Sequence, residues 1–145
     1  MKIETIRDFQ RPRAQVLHMF RDPARIETVL QEMGARVERV SVAPQMAWSC
    51  AMVWREEPRK FSVNLLETST DETMTMTLES DLAGADMVMD FYDLDDGGCR
   101  IIVEAELSAH TMVARLALQS LRLVRGKAED RLKRFVGALG GPPRK

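Results

Sequence analysis

Met87-Val88-Met89-Asp90-Phe91-Tyr92-Asp93-Leu94-Asp95-Asp96-Gly97-Gly98-Cys99-Arg100-Ile101-Ile102-Val103-Glu104-Ala105-Glu106-Leu107 decides the fold. Met87, Met89 and Phe91 alternate with Val88, Asp90 and Tyr92, and Ile101, Val103, Ala105 and Leu107 alternate with Ile102, Glu104 and Glu106. A period of two belongs to a strand, whose successive side chains face opposite sides of a sheet. Between the runs, Asp95-Asp96-Gly97-Gly98 supplies the positive φ angles of a hairpin turn, so the two strands are expected to pair directly.

The alternation extends upstream to Val37. Trp48, Cys50, Met52 and Trp54 share one side of a strand, and Glu56-Glu57-Pro58-Arg59 reads as the turn into Phe61, Val63 and Leu65. Met74, Met76 and Leu78 then alternate with Thr73, Thr75 and Thr77, β-branched residues suited to a solvated face. Consecutive strands with short turns make an antiparallel meander rather than βαβ units. Ahead of them, Lys2 to Asp8 reads as a first strand. Pro12 opens a short helix carrying Val16 and Phe20, and Asp22 caps a second with Ile26, Val29 and Leu30 that Gly34 ends. From about Thr111 the period becomes helical, and Val113, Ala117, Leu121, Val124, Ala128, Leu132, Phe135 and Leu139 predict one long helix. Gly140-Gly141-Pro142-Pro143 stops it, leaving 140–145 as a frayed tail. The expected fold class is α+β: a curved antiparallel sheet of about seven strands around a long C-terminal helix, with two short helices after strand 1, in a single domain over 1–145.

A chain of 145 residues can bury one real core, and a formal net charge of -1 gives no reason to expect a nucleic-acid partner. Charges interrupt the N-terminus every few residues, no run is long enough to span a bilayer, and a cytoplasmic location is expected. Cys50 and Cys99 lie far apart without metal-ligand spacing and read as reduced thiols.

The opening strand before Pro12-Arg13-Ala14-Gln15-Val16, the Phe20-Arg21-Asp22-Pro23 helix junction and the Gln45-Met46-Ala47-Trp48 strand start, in this element order, resemble the START-like (SRPBCC) superfamily and its polyketide cyclase/dehydrase and lipid-transport branch. The resemblance covers nearly the whole chain. It implies a helix-grip fold with a cavity between the concave face of the sheet and the last helix, used across the superfamily for sterols, lipids, polyketides, hormones or quinones.

The side chains expected to line that cavity are Trp48, Cys50, Met52, Trp54, Phe61, Val63, Met74, Met76, Met87, Met89, Phe91 and Val103 from the strands, with Ala117, Leu121 and Val124 from the helix. The set holds no carboxylate, lysine or histidine, and acid/base catalysis needs a titratable group within reach of the substrate. Cys50 is its one nucleophile, and an apolar setting keeps a thiol inert. The sequence thus presents no catalytic constellation, no metal set and no cofactor motif. The five methionines suit either a pocket of variable shape or an irregular filled core. A binding or carrier protein for a small hydrophobic ligand is the leading reading. A cyclase or dehydratase remains open if Asp90, Tyr92 or Asn64 enters the pocket through a bulge, and so does a structural or regulatory partner with a filled interior. His18 and His110 read as solvated or capping residues. Asp93 to Glu104 has part of a calcium-loop spacing, which a hairpin turn explains better. Arg115, Arg122, Arg125, Lys127, Arg131, Lys133 and Arg134 make the last helix basic; they form no single stripe and Glu129 and Asp130 interrupt them, so they read first as a solvated face, with transient contact with an anionic membrane, but no stable insertion, as the alternative. Leu116, Leu118 and Leu123 lie off its main apolar stripe. Monomer and homodimer are both compatible with the sequence.

Overall fold

The alternating segments pair as neighbours. In the computed structural model, which describes residues 1–141, β1 (Lys2–Phe9) leads into α1 (Arg13–Phe20) and α2 (Pro23–Glu32). Then follow β2 (Arg36–Ser41), β3 (Met46–Trp54), β4 (Glu57–Ser69), β5 (Thr73–Ser80), β6 (Ala83–Asp93) and β7 (Cys99–Ala109), and finally α3 (Met112–Leu123) and α4 (Arg125–Gly140). The sheet has seven strands in the order β1-β7-β6-β5-β4-β3-β2, every pair antiparallel. Its register stacks the apolar sets: Met89 faces Met74 and Val103, Met87 faces Met76 and Ala105, and Trp48 faces Val63.

The β6–β7 hairpin closes as its glycines demand, with Gly97 at φ 87° and Leu94 N–H donating to the Gly98 carbonyl at 2.9 Å. The β3–β4 hairpin differs from expectation. Its turn is Arg55-Glu56, at φ 53° and 65°, and Pro58 and Arg59 already belong to β4. Left-handed turn residues are usually glycine or asparagine, so nothing in Arg55-Glu56 signals the bend.

Local capping sets the helices. Asp22 accepts from Ala24 N–H at 3.1 Å ahead of Pro23, Gly34 leaves α2 at φ 99°, and Thr111 accepts from Ala114 N–H at 3.1 Å. The C-terminal helix is not continuous: Val124 leaves the helical region at φ -124° and ψ 39°. The inward stripe runs Ala114, Leu118, Leu121 and resumes at Ala128, Leu132, Val136 and Leu139. The step between Leu121 and Ala128 falls on Arg125, so a straight helix would turn a cation toward the core, and the chain bends there instead. Val113, Ala117 and Val124, expected on the buried stripe, are exposed.

α4 lies along β1 and sits close because two positions carry no side chain. A Cβ at Gly137 would stand 2.8 Å from the Arg7 guanidinium carbon, and one at Gly140 2.8 Å from the Phe9 ring. Arg25 of α2 donates to the carbonyls of Ala138 at 2.7 Å, Leu139 at 3.2 Å and Gly141, satisfying the end of α4. The helix therefore persists through Gly140, where a frayed tail was expected, and 142–145 lie outside the described residues.

Arg21, at the end of α1, donates to both Glu67 carboxylate oxygens at 2.7 Å and to Asp71 at 2.7 Å, tying the helix to the β4–β5 turn. These bonds hold the Glu67 carboxyl below its ordinary value, chiefly through the Arg21 hydrogen bond, and Arg39 with Trp48 does the same to Glu27. Both pKa values are depressed in the folded state, so their stabilisation is complete above the unfolded carboxylate value near 4.5 and is lost as pH falls through the folded values. Thermal melts should show the melting temperature declining below that pH. Glu67→Gln should lose no more than about 1 kcal/mol at neutral pH and show a shallower acid decline than the parent.

Candidate functional site

The inner face of the sheet divides into two ends. Val63, Met76, Met89 and Val103 are 0% exposed, and Trp48, Cys50, Met74, Met87 and Phe91 are buried as well. Phe20 meets Phe91 edge to face at 5.2 Å, and Val16, Leu17, Ile26 and Leu30 from α1 and α2 join Leu132, Val136 and Leu139 from α4 in the same core. The hollow expected along the whole inner face is filled here, because three helices drop their apolar stripes into this half.

The other end is open. Toward the β3–β4 and β5–β6 hairpins, Met52, Trp54, Phe61, Leu78, Ala85 and Leu107 are only partly buried. The register makes them one surface: Leu78 lies opposite Ala85, Ala85 opposite Leu107, and Phe61 is one inward step along β4 from Val63, the partner of Leu78. Leu121 of α3 packs against the same core. Of the lining deduced from the sequence, Met52, Trp54 and Phe61 lie at this open end, and Leu121 is half-buried against the core. Ala117 and Val124 face outward and line nothing, since the inward stripe of α3 is one position away from the one expected.

One residue belongs to this end that sequence reasoning missed. Arg59 lies opposite Met52, on the same face, two positions before Phe61. Its Nη2 is 2.9 Å from Glu57, its guanidinium carbon is 5.8 Å from the Trp54 ring centroid, and its buried Nε has no hydrogen-bond partner among the described residues. Arg55 covers the same ring at 4.9 Å. The open end thus joins an apolar shelf to a cationic rim with a donor to spare.

The remaining candidate groups are occupied elsewhere. Trp48 donates its indole N–H to Glu27 at 3.0 Å, so it has none to offer a ligand. Asp90 accepts from the Thr73 hydroxyl at 2.8 Å, and the β5–β6–β7 register is unbroken past Asp90 and Tyr92. The register shifts fall at Arg39/Ser41 and Glu67/Ser69, so no bulge brings Asp90, Tyr92 or Asn64 inside. His110 pairs with Glu79 at 2.5 Å, and His18 is exposed. Among the described residues no group of three or more His, Cys, Asp or Glu could hold a metal ion, and no helix is long and apolar enough to cross a membrane. A groove of about 980 Å³ lies between the end of β1, the α1–α2 corner and the end of α4, away from the shelf. Arg7, Arg11, Arg25 and Arg134 with Asp8, Asp22 and Glu32 give its rim a mixed charge.

No protein-family model matches the chain, and no curated protein sequence matches it. Solved structures do. A protein from Thermus thermophilus, TTHA0849, superposes with a TM-score of 0.70 at 12% identity, over 97% of this chain and 94% of the other. Norcoclaurine synthase from Thalictrum flavum gives 0.68 at 8% identity, over 97% and 84%, and Ara h 8.0201 gives 0.61 at 12%, over 96% and 97%. A further norcoclaurine synthase structure, solved in complex with dopamine and hydroxybenzaldehyde, gives 0.66 at 9% over 99% and 89%. At these identities the likeness is one of fold. The chain has the START-like helix-grip fold.

Both thiols are free and buried. Burial pushes the Cys50 thiol up, and burial followed by the charge of Asp93 does the same at Cys99, so both stay protonated at neutral pH. A chromogenic disulfide reagent should modify neither in the native protein and both after denaturation. Rapid native labelling of Cys50 would show that the inner face is open to solvent.

Proposed function

We propose that the protein binds a small amphiphile, its apolar body on the shelf of Met52, Trp54, Phe61, Leu78, Ala85 and Leu107 and its anionic head group at Arg59. The supporting observation is the buried, unpartnered Nε of Arg59 beside the half-buried apolar end of an otherwise filled sheet. An apolar body gains about 25 cal/mol per Å² removed from water. A carboxylate or phosphate reaching Arg59 gains a charge-assisted hydrogen bond and removes the cost of the idle donor. Norcoclaurine synthase, with the same fold, holds small molecules, which supports ligand binding but names none for this chain. Binding without turnover is the reading, because the one carboxylate at the shelf, Glu57, is held in an ion pair with Arg59 at 2.9 Å. Two buried, unpaired thiols fit a reducing compartment, the cytoplasm.

Tryptophan fluorescence separates the parts of this proposal. Titration with decanoate should perturb Trp54 saturably, and Trp54→Phe should abolish the signal while Trp48 stays silent. Arg59→Met should weaken decanoate about tenfold, some 1.4 kcal/mol, and leave decanol unchanged. No saturable response to either probe would refute the shelf as a site, and equal losses for acid and alcohol would refute Arg59 as the head-group contact.

A further inference from the structure

Helix α3 has two apolar faces, and only one is covered. Ala114 is buried and Leu118 and Leu121 half-buried, at steps of four and three, and Leu121 packs against the core. At about 3.6 residues per turn, Met112, Leu116 and Leu123 fall on the opposite side, 68%, 57% and 87% exposed. Leu123 stands at the tip of the elbow that the break at Val124 creates. A helix built only to close the sheet would carry polar residues there.

The charges on α3 and at the elbow have one sign, and the first carboxylates, Glu129 and Asp130, follow in the second turn of α4. From Thr111 to Ala128 the chain has four cations, Arg115, Arg122, Arg125 and Lys127, and no carboxylate. All four are exposed, and among the described residues none makes an ion pair. Arg125 and Lys127 stand in the first turn of α4, which has no acidic residue and no side-chain cap. Cations oppose the helix dipole at that end, so their placement costs local stability that a bound anion would restore. A two-fold dimer through this face would set the cations against their own copies. The complementary surface is both apolar and anionic.

We propose that the α3–α4 elbow docks on the interface of an anionic lipid bilayer. Leu123, with Leu116 and Met112 behind it, enters the boundary between head groups and acyl chains, while Arg122, Arg125 and Lys127 meet the lipid phosphates. The inference rests on α3 and the elbow alone and stands whether or not the shelf binds an amphiphile.

Vesicle co-sedimentation of the ligand-free protein tests it. The protein should sediment with vesicles of equal phosphatidylcholine and phosphatidylglycerol, remain in solution with phosphatidylcholine alone, and be released by salt. Leu123→Asp should abolish binding, and Arg122→Gln and Arg125→Gln should each lower it about fivefold. These side chains are exposed, so the variants should keep the parent's melting temperature and its decanoate response. Should a variant melt early, Leu123→Ser replaces it in the same assay. Failure to bind the mixed vesicles, or equal binding to both kinds, overturns the proposal. Self-association in the ultracentrifuge that Leu123→Asp abolishes, with no vesicle binding, overturns it in favour of a second copy of the chain.

Discussion

A long sheet covered by shorter helices is the constraint on which the rest depends. β4 runs for 13 residues and β6 and β7 for 11 each, and at about 3.3 Å per residue β4 spans roughly 43 Å. α1 and α2 have 8 and 10 residues, about 12 and 15 Å at 1.5 Å per residue. With α4 they fill one half of the concave face with hydrocarbon and thioether packing and stop there. What remains of the inner face falls to α3, of which only Ala114, Leu118 and Leu121 are buried or half-buried and Leu121 packs against the core. The half-buried shelf is the part of a continuous apolar surface that outlasts its cover.

The polar contacts follow the same division. Arg21 on Glu67 and Asp71, Arg25 on the last carbonyls of α4, and Glu27 between Arg39 and Trp48 all anchor helices to the filled half. Each is specific and each leaves its groups satisfied. At the open half the polar groups are less fully engaged: Arg59 pairs with Glu57 through Nη2 but keeps an idle Nε, and the elbow carries cations without an ion pair among the described residues. One half of the molecule is organised for persistence and the other retains capacity for a partner.

Much of this was legible in the residues. The alternation from Trp48 to Leu107 placed the inner face correctly, and the Asp22, Gly34 and Gly97 signals marked helix and hairpin ends where they occur. Periodicity reports which side of an element is apolar but not what packs against it, so Met76 and Met89 looked as suitable for a cavity as for the core they join. Arg59 was hidden by Pro58, which made Glu56 to Arg59 resemble a turn. With the bend at Arg55-Glu56, a strand's period of two puts Arg59 on the side of Phe61. The break at Val124 was masked because Val113, Ala117 and Val124 form a plausible helical stripe. Only Arg125, falling in the competing stripe of Ala114, Leu118, Leu121 and Ala128, betrays it.

Methionine methyl groups report on both halves at once, since Met52 lies at the open end and Met74, Met76, Met87 and Met89 in the filled one. NMR of protein labelled at the methionine methyls, titrated with decanoate, should move the Met52 resonance saturably and leave those of Met76 and Met89 in place. Saturable shifts centred on Met76 and Met89, with Met52 unaffected, would mean that the interior opens to hold the ligand and would contradict the division of the sheet described above.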